Sequence, residues 1–317
     1  MEEIKIYCEN DGRHYSFPMG TDLKTISDKI CPSVACKGSA NETDVLAALV
    51  DNQLKELSFK AMSTHNIRFI GYDHPDGRRT YIRSLCFVLQ NVIREIYPDK
   101  VLVIDYSLPS GLYCEIREKE TMHDGKPKVY FATDDEIDRI QSRMREMIES
   151  DLPFKKTKQT LEDTVKYFES NGQKEKVNLA RSLGRLTYSV YCLDGQADTF
   201  HGPLTPSTGY LKTFDLMGFN NGFCLQYPMD GSYGKVLPMK RQSKLAGALK
   251  EHSDWCALMG VKGVGSLNQA VRDGKIIDLI NLSEALHERK YADIADQIYA
   301  RRGSVKIVFI AGPSSSG

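Results

Sequence analysis

Alternation opens the chain. Residues 4–8 (Ile-Lys-Ile-Tyr-Cys) place apolar side chains at every second position, the period of a strand with one buried face. Asn10-Asp11-Gly12 follows, three residues that tolerate the positive φ of a tight hairpin, and His14 to Phe17 supplies the return strand. Thr21 is the expected cap of a short helix that continues Asp22-Leu23-Lys24-Thr25-Ile26. Val45–Leu49 and Leu54–Phe59 suggest short elements, and Thr64–Ile70 a closing strand. Hairpin, helix and short strands within 72 residues point to a small β-grasp module.

Asp73-His74-Pro75-Asp76-Gly77 is a turn cluster and a natural boundary. The pattern then changes period. Leu85, Val88, Leu89, Val92 and Ile96 share one face of a helix predicted over Thr80–Tyr97 and stopped by Pro98. Strands are expected at Val101–Ile104, Leu112–Ile116 and Lys126–Phe131. The clearest helix spans 133–150: Thr133 with Glu136 forms a capping box, and Ile137, Ile140, Met144, Met147 and Ile148 recur at helical period. A second helix runs from Leu161 to Ser170, with Gly172 as terminator, and strands are expected at Thr187–Cys192 and Gly222–Gln226. Residues 243–300 read as helices broken by Gly260-Val-Lys-Gly-Val-Gly265.

Composition narrows the picture. At 317 residues, 41% hydrophobic and 26% charged, the chain suits two or three globular domains. No apolar run approaches the roughly 18 residues that span a bilayer. The acidic, strand-like start is unlike a secretory leader, so a cytoplasmic protein with no membrane partner is expected. Eight cysteines (Cys8, Cys31, Cys36, Cys86, Cys114, Cys192, Cys224 and Cys256) include no pair at zinc-knuckle or redox spacing, so they are expected as free small hydrophobes and no metal site is assigned. Forty-two basic residues balance forty-two acidic ones, and zero net charge argues against a dedicated nucleic-acid grip. The run Lys235–Lys250 holds five basic residues and no acidic one; it is read as a solvated helix face, with a local phosphate patch as the alternative.

The sharpest motif lies at the end. Val305-Lys-Ile-Val-Phe-Ile-Ala311 has the apolar run of a strand buried in a parallel sheet, and it leads into Gly312-Pro313-Ser314-Ser315-Ser316-Gly317. That is the Gly-x-x-x-x-Gly half of a phosphate-binding loop, or P-loop, whose glycines let backbone N–H groups face phosphate oxygens. The lysine and hydroxyl residue that complete such a loop would be the next two positions. The 317 residues alone are therefore expected to show no phosphotransfer.

Residues 1–72 resemble the TGS domain of threonyl-tRNA synthetase, including Asn10-Asp-Gly12 and Phe17-Pro-Met-Gly-Thr21. Ile96-Tyr-Pro-Asp99, Leu108-Pro-Ser-Gly-Leu-Tyr113, Phe131-Ala-Thr-Asp-Asp-Glu136, Asp151-Leu-Pro-Phe154 and His201-Gly-Pro-Leu-Thr-Pro-Ser-Thr-Gly209 resemble its second, editing domain. The same order ahead of a P-loop resembles a bacterial family of nucleoside or uridine kinases. That resemblance implies ATP and Mg2+ as cofactors and a nucleoside as acceptor in the intact protein, with no cofactor for these residues alone.

The synthetase editing site uses a His-x-x-x-His pair on a helix and a later Cys-x-x-x-His pair. By the resemblance these fall at Arg83 and Phe87, and at Phe200 and Leu204. A phenyl ring neither ligates a metal nor polarises water, so the inherited editing chemistry is expected to be lost and no catalytic residue is assigned. Asp198 and His201 flank the old site as structural residues or as parts of a repurposed cleft. The expected fold class is α+β, with a TGS-like domain over 1–72 and an editing-like domain over 73–235. A helical connector over 236–303 and the first strand of a P-loop domain over 304–317 complete it. The leading functional expectation is a regulatory or substrate-sensing region of a nucleoside kinase. The alternatives are an RNA- or tRNA-binding module, a degenerate editing domain, and a hydrolase rebuilt around His201, Asp198 and Arg83.

Overall fold

A computed structural model describes residues 2–35, 42–121, 127–229, 232, 234–240 and 242–310. Strands β1 (Glu3–Cys8) and β2 (Arg13–Pro18) form the expected antiparallel hairpin, with Ile6 opposite Tyr15. Asn10 also ties this turn to a distant strand. Its side-chain amide donates to the Phe69 carbonyl at 3.0 Å, and its Oδ1 accepts from the Phe69 N–H at 2.8 Å. Helix α1 (Leu23–Ile30) is capped by Asp22 rather than by Thr21. The Asp22 carboxylate accepts from Thr25 N at 2.8 Å, while the Thr21 hydroxyl is spent on the Pro18 carbonyl at 2.6 Å.

Strands β3 (Ser33–Ala35), β4 (Glu42–Asp44), β5 (Ala47–Val50), β6 (Gln53–Lys55) and β7 (His65–Ile70) complete this part of the chain. The sheet runs β2-β1-β7-β5-β6, with β1 and β7 parallel, and β3 pairs with β4 as a separate ribbon. Alternation does what the sequence promised: Ile4, Ile6, Ile67 and Phe69 bury against Leu23 and Ile26 of α1.

Helix α2 (Pro75–Ile96) starts at Pro75, inside the stretch read as a turn. Proline is suited to a first helical turn because the N–H it lacks would have no helical partner there, and the His74 ring accepts from Asp76 N at 3.2 Å as the cap. Gly77 permits the early start. A Cβ at that position would lie 1.8 Å from the Gly71 carbonyl oxygen, so only glycine lets the helix abut the end of β7 so closely.

Strands β8 (Lys100–Leu108), β9 (Gly111–Thr121) and β10 (Pro127–Tyr130) follow, then α3 (Asp134–Glu149), with the Thr133–Glu136 capping box formed. Next come β11 (Lys155–Thr160), α4 (Leu161–Ser170), α5 (Lys174–Ser182), β12 (Thr187–Leu193), β13 (Gln196–Thr199), β14 (Asp215–Phe219) and β15 (Gly222–Gln226). One sheet runs β10-β9-β15-β14 with β8 also on β9, and another runs β11-β12-β13. Leu85, Val88 and Val92 of α2 meet Ile140 and Met144 of α3 and Ile116 and Phe223 of the first of these sheets in one core. Val165 and Phe168 of α4 pack with Val177 of α5 on Tyr188 and Val190 in a smaller one.

Helices α6 (Ser243–Leu258), α7 (Val264–Arg272) and α8 (Ile276–Ala300) match the expected helical stretch but bury almost nothing. Lys235, Lys240 and Lys244 of the basic run are exposed, but only Lys244 lies on a helix, since Lys235 and Lys240 precede α6 in a segment without regular structure. The strand expected from Val305 onward does not form. Residues 305–310 carry no regular structure, and Phe309 and Ile310 are more than nine-tenths exposed. β-forming side chains hold a strand only where a neighbour pairs its N–H and C=O groups, and none does so here among the described residues. Gly312, Pro313, Ser314, Ser315, Ser316 and Gly317, which carry the ATP and Mg2+ expectation, lie outside the described residues.

The architecture is mixed α+β. No helix among the described residues is long and apolar enough to cross a membrane. The described cysteines are free of disulfides, and no group of three or more His, Cys, Asp or Glu among the described residues could hold a metal. Replacing Thr133 with alanine removes the side-chain half of the α3 cap. The expected loss is about 1 kcal/mol of unfolding free energy by urea titration, and an unchanged midpoint would show that the capping box contributes nothing.

Candidate functional site

Helix α2 and the loop after β13 come together at the positions singled out by sequence. Arg83 and Phe87 stand one turn apart on α2, and Phe87 is fully buried. The loop returns Phe200 to it, with ring centroids 5.0 Å apart, and Phe154 stacks on the other side at 5.9 Å. Leu204 is buried in the same core. Ser84 fixes the loop by backbone hydrogen bonding. It accepts from Thr205 N at 2.9 Å and donates to the Thr80 carbonyl at 2.8 Å. The result is an apolar plug where hydrolytic groups would need water.

Arg83 closes the edge of the plug. Its Nη1 donates to the Pro203 carbonyl, and its guanidinium lies flat against Gly202. Gly202 has φ +121°, and a Cβ there would come within 2.9 Å of three guanidinium atoms, so the close approach depends on glycine. Burial pulls the Arg83 pKa below its ordinary value.

Asp198 and His201 part company. Asp198 is completely buried and bound to two cations, Arg94 Nη2 at 3.2 Å and the Lys176 ammonium, and it also accepts from Thr199 N at 2.7 Å. Desolvation lowers the Lys176 pKa, with the Asp198 charge pulling the other way. This carboxylate is committed to joining α2, α5 and β13. His201 is exposed, with no hydrogen-bond partner among the described residues. The Asp198–His201–Arg83 hydrolase therefore lacks its assembled acid–base pair.

Beside the plug lies a cleft of about 420 Å³. Phe154, Tyr191 and Leu204 form one wall, and Lys24, Glu56 and Lys60 the other. Glu56 bridges the walls, accepting from Lys156 Nζ at 2.7 Å and from the Tyr191 hydroxyl at 2.6 Å. The Lys156 ammonium also sits 5.5 Å from the centre of the Tyr191 ring. Burial first, and the Glu56 hydrogen bond second, raise the Tyr191 pKa well above that of a free phenol. A second cavity of about 500 Å³ is lined by Asp44, Glu149, Asp151, Tyr210 and Lys212. Glu56, Tyr191, Ser84 and Lys176 were not found from sequence. Glu56 and Tyr191 are separated by 135 positions, and no local pattern marks either.

No family model matches the chain. Curated relatives do. The threonine–tRNA ligase of Francisella tularensis subsp. tularensis (strain SCHU S4 / Schu 4) is 24% identical over 206 residues, covering 65% of this chain and 30% of the relative. The threonine–tRNA ligase of Carboxydothermus hydrogenoformans is 24% identical over 208 residues, with the same coverage. The matched region spans about a third of the length of these relatives. The chain is thus similar to part of a tRNA synthetase. This similarity overturns the expectation of a regulatory region of a nucleoside kinase with a uridine-type acceptor.

Removing the Asp198 carboxylate and removing the His201 ring should have opposite consequences. Asp198→Ala leaves two cations facing each other without their anion and is expected to cost about 3–5 kcal/mol by denaturant unfolding. His201→Ala is expected to change stability by less than about 0.5 kcal/mol. Equal effects would contradict the division of roles.

Proposed function

We propose that the chain is a threonyl-tRNA-synthetase-type accessory region that engages the end of a tRNA without hydrolysing its aminoacyl ester. Residues 1–72 act as a TGS-like β-grasp domain, residues 73–235 as an editing-like domain, and residues 236–303 as a helical connector. The observation that carries this reading is the closure of the loop at Phe200–Leu204 onto Arg83 and Phe87 of α2. The two segments that resemble the editing motifs lie against each other, and Phe87, Phe200 and Leu204 offer no base.

The cleft beside the plug supplies what binding needs. Phe154, Tyr191 and Leu204 give it an apolar wall against which a base or ribose can pack. Lys24 and Lys60 stand across the cleft as phosphate partners. Lys24 is shared with Asp28 at 2.6 Å, whereas Lys60 is exposed and has no ion pair among the described residues. A neutral chain can bind RNA through such a local set, because the Debye length of about 8 Å at physiological salt confines each contact to its neighbourhood.

Fluorescence anisotropy with a tRNA transcript, repeated across a salt series, tests the reading together with deacylation of aminoacyl-tRNA. Binding should weaken steeply with salt, and deacylation should match the protein-free control. Lys60→Ala should lower the slope of log affinity against log salt by about 1. Absence of tRNA binding at low salt, or deacylation above the control, would overturn it.

A further inference from the structure

Four other arginines of the chain hold a carboxylate, whereas the exposed Arg145, Arg272, Arg301 and Arg302 donate to backbone carbonyls. Arg94 pairs with Asp198 at 3.2 Å, Arg117 with Glu115 at 2.7 Å, Arg143 with Glu95 at 3.0 Å and Arg181 with Glu169 at 2.7 Å. Arg83 bonds a carbonyl like the second group but is less exposed than its members. It is partly buried and makes no ion pair with any described residue. Its one hydrogen bond runs from Nη1 to the Pro203 carbonyl, which leaves Nη2 and Nε without an acceptor among the described residues. These nitrogens are not among the buried polar atoms that lack a partner, so they are open to water or to the oxygens of a ligand.

The setting is that of a held donor rather than a loose side chain. Gly202 supports one face of the guanidinium and Pro203 fixes one edge. The nearby charges are few. Asp76 is engaged by Arg79 at 2.9 Å, and the Tyr191 hydroxyl is bound to Glu56. Tyr191 lines the neighbouring cleft, and Arg83 stands at the edge of the plug, outside the residues that line that cleft.

We infer that Arg83 is an oxyanion-binding residue, presenting its free N–H groups to the carboxylate or phosphate of a small ligand. A planar guanidinium matches both groups with two parallel hydrogen bonds, which a lysine cannot reproduce. The inference does not rest on the tRNA reading, since it requires only this side chain and a small anion.

Isothermal titration of the 317-residue protein tests it, with L-threonine as the carboxylate probe and inorganic phosphate and adenosine 5′-monophosphate as phosphate probes. Adenosine serves as the neutral control. Binding of threonine alone identifies a carboxylate site, and binding of both phosphate probes without threonine identifies a phosphate site; either supports the proposal. Arg83→Gln should weaken the bound probe at least tenfold, and Arg83→Lys should restore only part of that loss. A measurement on the unaltered protein guards against misfolding of the variants. The bound anion should protect Arg83 from phenylglyoxal, read by peptide mass spectrometry, while exposed Arg79 still reacts. The proposal is overturned if no anion binds, if Arg83→Gln binds as tightly as the native protein, or if the anion leaves Arg83 modification unchanged.

Discussion

The contact between Phe87 on α2 and Phe200 on the loop after β13 organises the middle of this protein. The two rings lie 5.0 Å apart within a core that also holds Phe154 and Leu204. Aromatic pairs of this kind contribute through both area and geometry, and this one joins a long helix to a loop more than a hundred residues away in sequence. Ser84 accepts from Thr205 N and Arg83 rests on Gly202 where the loop is drawn onto the helix, while Asp198 reaches Arg94 from β13, which β12 holds in place. The phenyl rings at the centre of the site supply neither a base nor a nucleophile.

A second constraint joins the first sheet to the rest of the chain. Glu56 lies just after β6, yet its carboxylate is held by Lys156 of β11 and Tyr191 of β12. One carboxylate thus fixes the spacing of the cleft walls. The ion pair with partly exposed Lys156 adds little stability by itself. The buried phenol hydrogen bond adds direction, because an unsatisfied Tyr191 hydroxyl there would carry a desolvation cost. Arg83 is a separate cation, outside the residues that line the cleft and without an ion pair among the described residues.

Much of the fold was legible because local rules and tertiary packing agree. Ile4, Ile6 and Cys8 alternate and are buried in alternation, and the α3 capping box appears in the structure as written in the sequence. Legibility failed where packing overrode pattern. Strand β11, Lys-Lys-Thr-Lys-Gln-Thr, is almost wholly exposed at a sheet edge and carries no hydrophobic period to read. Helix α5 has no side-chain cap, and its start at Lys174 gives no signal. Residues 305–310 show the converse error, since β-forming side chains without a partner strand stay irregular. The site was legible only through motif spacing. Arg83, Phe87, Phe200 and Leu204 could be placed that way, whereas Glu56, Ser84 and Lys176 act through distant partners that no window of sequence contains.

The closure of the loop onto α2 is most directly measured by a double-mutant cycle on the ring pair. Phe87→Leu, Phe200→Leu and the double variant are compared by urea unfolding. The structure predicts a coupling energy of about 0.5–1.5 kcal/mol, the range for aromatic rings in contact. Additivity within about 0.3 kcal/mol would mean that the rings act independently, and the filled site would not exist as described.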